Sequence, residues 1–172
     1  MSPANQSYGN NTFLNKTVPP ETPANLQLQV GNDDDGSHNL KSIHEIPEKY
    51  RPIFPFAYFN ALQSKVFDEV MYSDNPMVIC APTGSGKTAI FEMSIIRLLL
   101  STTNFTYKIV YLAPIKALCS ERYQDWTSKF GPFALKCTEL TGDTDIDDFQ
   151  ELHKAHIVFT TPVRVVFSHL FP

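Results

Sequence analysis

The sequence predicts an α/β fold, a parallel sheet with flanking helices, and three observations carry that prediction. From about residue 47, apolar runs of strand length alternate with segments of helix length, the pattern of successive strand–helix–strand units. The stretch APTGSGKT (81–88) stands between one such apolar run and one such helix-length segment. The first forty residues are rich in Asn, Pro, Ser and Asp and hold few apolar anchors, so they contrast with everything that follows.

Residues 1–42 are expected to form a disordered tail, because their composition cannot bury enough surface to offset the entropy of ordering. The DDD run at 33–35 reads as a solvated loop. Residues 43–172 form the domain, with helices expected at 60–72, 87–100, 115–129 and 146–154 and strands at 77–80, 108–112, 134–139 and 156–160. PMVIC (76–80) is a short apolar run of strand type, and TAIFEMSIIRLLL (88–100) has helix length. Pro114 stops the next apolar strand and turns the chain into a helix, as proline does near a first helical turn. DTDIDD (143–148) is no calcium loop, since the positions that would need Gly and Glu hold Asp148 and Lys154. Its acidic side chains favour the start of the short helix through the helix dipole.

Composition narrows the classes. At 172 residues the chain is one domain plus a tail, and 42% hydrophobic residues suffice for a core. No apolar run reaches a membrane span, IIRLLL being broken by Arg97. MSPANQSYGN lacks the charged and apolar regions of a secretory signal. Cys80, Cys119 and Cys137 form no C-x-x-C pair, so reduced, mostly buried thiols of an intracellular protein are expected. The net charge of −4 divides as 3 basic against 6 acidic residues over 1–50 and 11 against 12 afterwards. There is no basic stripe of the kind a tight duplex binder shows, so charge neither supports nor excludes nucleic acid.

The chemistry lies in 81–88. A nucleoside triphosphate needs converging backbone N–H donors, a cation at the β/γ bridge and a hydroxyl for the metal. Ala81 stands where the G-x-x-x-x-G-K-[ST] pattern has its first glycine, but Gly84 and Gly86 keep the backbone freedom that bends the loop around an anion. Ala81, Pro82, Thr83, Gly84, Ser85, Gly86, Lys87 and Thr88 are therefore the candidate ATP-binding residues, Lys87 supplying the cation and Thr88 the hydroxyl for Mg²⁺. The nucleotide is expected at the carboxyl ends of the strands.

The A-x-x-G-x-G-K-T form resembles the phosphate loop of superfamily 2 helicases. YFNALQS (58–64), with Gln63 24 positions before Lys87, resembles their Q motif, in which an aromatic residue and a glutamine read adenine; Gln63 and Phe59 are the matching residues. IVYLAPIKALCSERYQDW (109–126) resembles the following motif, carrying Pro114 and Lys116. ELTGDT (139–144) and HIVFTTP (156–162) resemble the two after it, carrying Gly142, Thr144, Thr160 and Thr161. The resemblance spans roughly 47–162 and is most like the Ski-like group, within it the meiotic crossover DNA helicases. It implies a RecA-like lobe, ATP and Mg²⁺ as cofactors, nucleic acid (DNA in preference to RNA) as partner, and a nuclear protein. Through Pro114, Lys116, Gly142, Thr144, Thr160 and Thr161 it implies contacts to a strand backbone without sequence preference.

Two departures separate binding from hydrolysis. The D-E-x-[HD] box that holds the Mg²⁺ shell in such helicases has no counterpart here, so no catalytic residue is assigned. After TTP the family pattern continues with Glu-Lys, whereas Val163 and Arg164 follow here, making 163–172 a divergent tail. The expectation is a partial lobe, truncated before the acidic box, with an open sheet edge. Two readings stay open: the front part of an ATP-dependent DNA helicase, or a non-catalytic nucleotide- or single-strand-binding module without activity of its own.

Overall fold

The computed structural model describes residues 40–102, 107–140 and 148–163. The expectations for the tail up to residue 39, for Gly142 and Thr144, and for the segment from Arg164 onward lie outside the described residues. Lys41 and Ser42, expected in the tail, instead belong to the folded body. The Lys41 N–H donates to Ser64 Oγ at 3.0 Å, and the Phe59 N–H donates to the Lys41 carbonyl at 2.9 Å. Ser42 caps a 3-10 turn at Ile43–Glu45, and a second one spans Glu48–Ile53. Between them they bury Ile43, Ile46, Tyr50 and Ile53.

Helix α1 (Ala61–Tyr72) starts at a capping box: the Asn60 side chain accepts from the Gln63 N–H, and the Gln63 side chain accepts from the Asn60 N–H. It buries Val66, Phe67, Val70 and Met71, an apolar stripe at helical spacing. Helix α2 (Lys87–Ser101) packs against α1 and buries Ile90, Met93, Ile95 and Ile96. Phe59, immediately before α1, is fully buried with Phe54, Phe56 and Phe67 around it at ring-centroid distances of 5.3 Å.

The sheet has three parallel strands: β1 (Ile109–Leu112), β2 (Cys137–Leu140) and β3 (Ile157–Thr160). Their order is β1-β3-β2, with Ile109 and Cys137 both in register with Ile157. The last of the described strands in sequence is thus the central one, and all four of its residues are buried. Helices α3 (Lys116–Phe130) and α4 (Asp148–Lys154) connect the strands. Trp126 of α3 packs its ring 5.5 Å from Tyr111 and 5.6 Å from Phe159, tying the helix to the sheet.

Three expectations change. Residues 77–80 form no strand: the three described strands lie elsewhere and none pairs with this segment. Its side chains still alternate, Met77 and Ile79 packing on the core while Val78 and Cys80 face outward. A strand needs a neighbour to complete its ladder, and apolar sequence alone supplies only the side-chain half of that requirement. Cys80 is exposed for the same reason, while Cys119 is buried and Cys137 partly so. Strand β2 begins at Cys137, since a 3-10 turn at Gly131–Phe133 ends in the left-handed Ala134 (φ 62°), the first residue of the expected range. Pro114 precedes α3 by two positions, and Ile115 is its N-cap.

The edge of β1 away from β3 has no partner among the described strands. Beside it runs a cleft of about 490 Å³, lined by Phe91, Ile95 and Leu98 of α2, Tyr111 and Leu112 of β1, and Trp126. The outer edge of β2 likewise has no partner among the described strands, since β3 lies between the two.

Candidate functional site

The loop at 81–88 enters α2 without an intervening turn. Gly84 (φ 81°) and Gly86 (φ 82°) are both left-handed, and Gly86 is the N-cap, so Lys87 and Thr88 are the first two residues of the helix. A side chain at Gly86 is excluded twice over, by its φ and because a Cβ there would lie 2.4 Å from Gln63 Nε2. The first N–H groups of a helix have no intrahelical acceptor, and the helix dipole adds partial positive charge at the same place. Loop and helix start together have the geometry that suits an anion.

Lys87 lies across its own loop. Its ammonium donates to the carbonyls of Ala81 and Pro82, each at 2.6 Å. A phosphate at this place would exchange those two neutral acceptors for anionic oxygens, which bind an ammonium more strongly. No cluster of three His, Cys, Asp or Glu occurs among the described residues. Thr88, half-buried at the head of α2, carries the hydroxyl expected to meet the metal. That donor set suits Mg²⁺ carried in on a triphosphate, because this ion keeps water and phosphate oxygens and needs few protein ligands.

The adenine-reading pair is placed otherwise than expected. Phe59 is 0% exposed and has no ring face to offer a base; it is a core residue. Gln63 is 4% exposed, its Oε1 accepting from the Asn60 N–H at 2.9 Å and its Nε2 donating to the Gly86 carbonyl at 3.0 Å. As placed, this amide holds the phosphate loop. Gln63→Ala is accordingly expected to weaken Mg·ATP and Mg·GTP alike, by about fivefold for the lost hydrogen bond. Titration with fluorescent analogues of both nucleotides checks it, and loss confined to the adenine nucleotide would restore the base-reading role.

Sequence reasoning passed over Asn60. Its Nδ2 donates to the Ser85 carbonyl at 3.0 Å, a second tie between the α1 cap and the loop. The available signal was the N-x-x-Q spacing of a capping box.

The residues expected to touch a strand scatter more. Pro114 and Lys116 are exposed at the carboxyl end of β1 and the start of α3, and Thr161 is half-buried just past β3. Thr160 is 0% exposed, the last residue of the central strand, and its carbonyl accepts from the Ala113 N–H. Its hydroxyl is therefore not presented to a ligand, because the residue completes the ladder.

A buried acid links the loop-bearing helix to α3. Glu92 is 2% exposed, and its Oε1 accepts from Trp126 Nε1 at 3.1 Å and from Lys129 Nζ at 2.7 Å. Burial raises the pKa of this carboxyl, and Lys129 opposes that shift.

A family model described as DEAD/DEAH box helicase matches residues 60–170. Over 134 residues the chain is 56% identical to the probable ATP-dependent DNA helicase HFM1 of Homo sapiens, a match covering 76% of this chain and 9% of that protein. Over 110 residues it is 39% identical to the DExH-box ATP-dependent RNA helicase DExH13 of Arabidopsis thaliana, covering 63% of this chain and 5% of that protein. The chain thus spans a small part of these curated relatives. Among solved structures it is similar to the DUF1998 helicase MrfA bound to DNA and AMPPNP, with a TM-score of 0.65 and 23% identity over 76% of this chain and 19% of that one. The likeness shows the fold, a parallel sheet with flanking helices of the RecA-like kind.

Proposed function

Because this chain belongs to the DEAD/DEAH box helicase family, we propose that it is the ATP-binding front part of an ATP-dependent DNA helicase acting in meiotic recombination and crossover formation. The observation that carries the nucleotide assignment is the passage from Gly84 to Thr88. Two left-handed glycines deliver a lysine and a threonine as the first residues of a helix whose body is buried in the core. In this reading Lys87 leaves the Ala81 and Pro82 carbonyls for the β- and γ-phosphate oxygens. The Thr88 hydroxyl would help to hold Mg²⁺, whose charge would offset that of the phosphates. The loop N–H groups complete the cradle, and Gln63 keeps it in shape from the α1 side.

Pro114, Lys116 and Thr161 lie near the carboxyl ends of β1 and β3, and in the same reading they line the path of a single strand. The human relative's name supports DNA, and the longer protein would then work in the nucleus. The Arabidopsis relative's name makes RNA the comparison arm of any binding assay.

A second reading rests on one sequence observation. The 172 residues contain no D-E-x-[HD] box. Phosphoryl transfer needs an acidic group to hold the metal shell and another to orient the attacking water. This polypeptide by itself is therefore proposed to bind nucleotide without turning it over, the catalytic step belonging to a longer protein. Purified chain, assayed for phosphate release with and without single-stranded DNA, is expected to stay at background. Turnover that depends on both DNA and Lys87 would overturn the claim that the acidic box is indispensable.

A further inference from the structure

The ties between the start of α1 and the phosphate loop have a directional consequence. Asn60 Nδ2 donates to the Ser85 carbonyl, and Gln63 Nε2 donates to the Gly86 carbonyl, each at 3.0 Å. These are successive peptides, and the described chain contains no cis peptide bond. In a planar trans peptide the C=O and N–H point in opposite directions. Drawing the Ser85 carbonyl toward α1 therefore aims the Gly86 N–H away from α1, and drawing the Gly86 carbonyl does the same for the Lys87 N–H. Gly86, left-handed between the two peptides, is what allows both to face the same way, the arrangement that makes successive N–H groups an anion-binding concavity.

We propose that Asn60 is a positioning residue for the phosphates, its side-chain amide fixing the Ser85–Gly86 peptide so that the Gly86 N–H is presented to the nucleotide. This rests on the nucleotide-binding reading above and deepens it. Asn60 has two separable duties. Its Oδ1 caps α1 by accepting from the Gln63 N–H at 2.9 Å, and its Nδ2 holds the loop. Only the second concerns the phosphates. The side chain has the reach for both because the residue sits outside the helix, with extended backbone (φ −69°, ψ 175°), facing Ser85 across the α1–loop boundary.

Two variants separate the duties. Asn60→Asp keeps the shape and the cap but sets a carboxylate oxygen against the Ser85 carbonyl. Asn60→Ser keeps a capping oxygen and loses the reach to Ser85. Amide hydrogen exchange of the full 172-residue chain, without nucleotide, is expected to show faster exchange at Ser85 and Ala89, whose N–H groups donate to the Pro82 and Gly86 carbonyls, in both variants, with the α1 amides unchanged. Mg·ATP affinity is expected to fall about tenfold in Asn60→Asp and about fivefold in Asn60→Ser, the loss of one hydrogen bond plus, for aspartate, a repulsive contact. Loop exchange and affinity equal to wild type in both variants would overturn the proposal. So would loss of affinity accompanied by loss of α1 protection in both, which would make Asn60 a helix cap and no more. If wild-type chain fails to bind Mg·ATP, the nucleotide reading fails, while the exchange measurement still decides whether Asn60 holds the loop.

Discussion

Replacing Lys87 with alanine is expected to lower the affinity of the chain for Mg·ATP by about a hundredfold, the largest functional effect of any single substitution in the loop. An ammonium on phosphate oxygens forms charge-assisted hydrogen bonds, each worth roughly 1.5–3 kcal/mol. The wild-type lysine must first leave two carbonyls at 2.6 Å, so part of that gain is offset. Against this, the alanine variant also loses the cross-brace that those carbonyls and the ammonium form across the loop. Fluorescent-nucleotide titration of both proteins measures the difference. Equal affinities would mean that 81–88 is a glycine-containing turn and no nucleotide site. The fold should survive, because α2 holds its place through Ile90, Met93, Ile95 and Ile96, none of which touches the outcome.

Phe59→Ala is expected to cost about 3–5 kcal/mol of stability, the usual range for emptying a phenylalanine site in a core. A thermal midpoint lower by roughly 10 °C follows for a domain of this size. The ring is fully buried, with three other phenylalanine rings around it at 5.3 Å, so its removal leaves a cavity that this cluster cannot easily close. It also precedes Asn60, whose side chain fixes both the α1 cap and the loop. Thermal unfolding and nucleotide titration together distinguish this from base stacking. A residue stacked on adenine would lose affinity while keeping its melting temperature, and that result would return Phe59 to the binding site.

What the sequence could say about this fold was mostly local. The loop, α2, α3, β1 and β3 were legible because each is announced by its own residues: the Gly84–Gly86 spacing, the helical stripes, the run of IVYL stopped by Pro114, the run of IVFT. Residues 77–80 were read as a strand because they are apolar, but a ladder is a relation between segments, and no described strand pairs with them. The strand order failed to show for the same reason, since nothing in Ile157–Thr160 marks it as the middle of the sheet except its three successive apolar residues. At the site, Gln63 and Phe59 stand out in the sequence by their position before the loop, but sequence position does not show that both side chains are buried. Thr160 was counted as a ligand-facing hydroxyl, whereas the last residue of a central strand is held inward by neighbours on both sides. The 3-10 turns at Ile43–Glu45 and Glu48–Ile53 left no periodic signal, because each is too short to show one.

The central place of β3 governs when this lobe can come together. A ribosome emits β1 first, β2 next and β3 last, yet β1 and β2 never pair with one another. Until Ile157–Thr160 has emerged neither β1 nor β2 has a ladder partner among the described strands, and both wait with their edges bare. The helices can form as they appear, since their hydrogen bonds are local, but the sheet closes in a single late event between residues distant along the chain. A nascent polypeptide at that stage carries helices without the sheet they are meant to cover, the kind of species most prone to self-association. Its safe passage then depends on how soon β3 arrives relative to the rate at which neighbouring nascent chains meet.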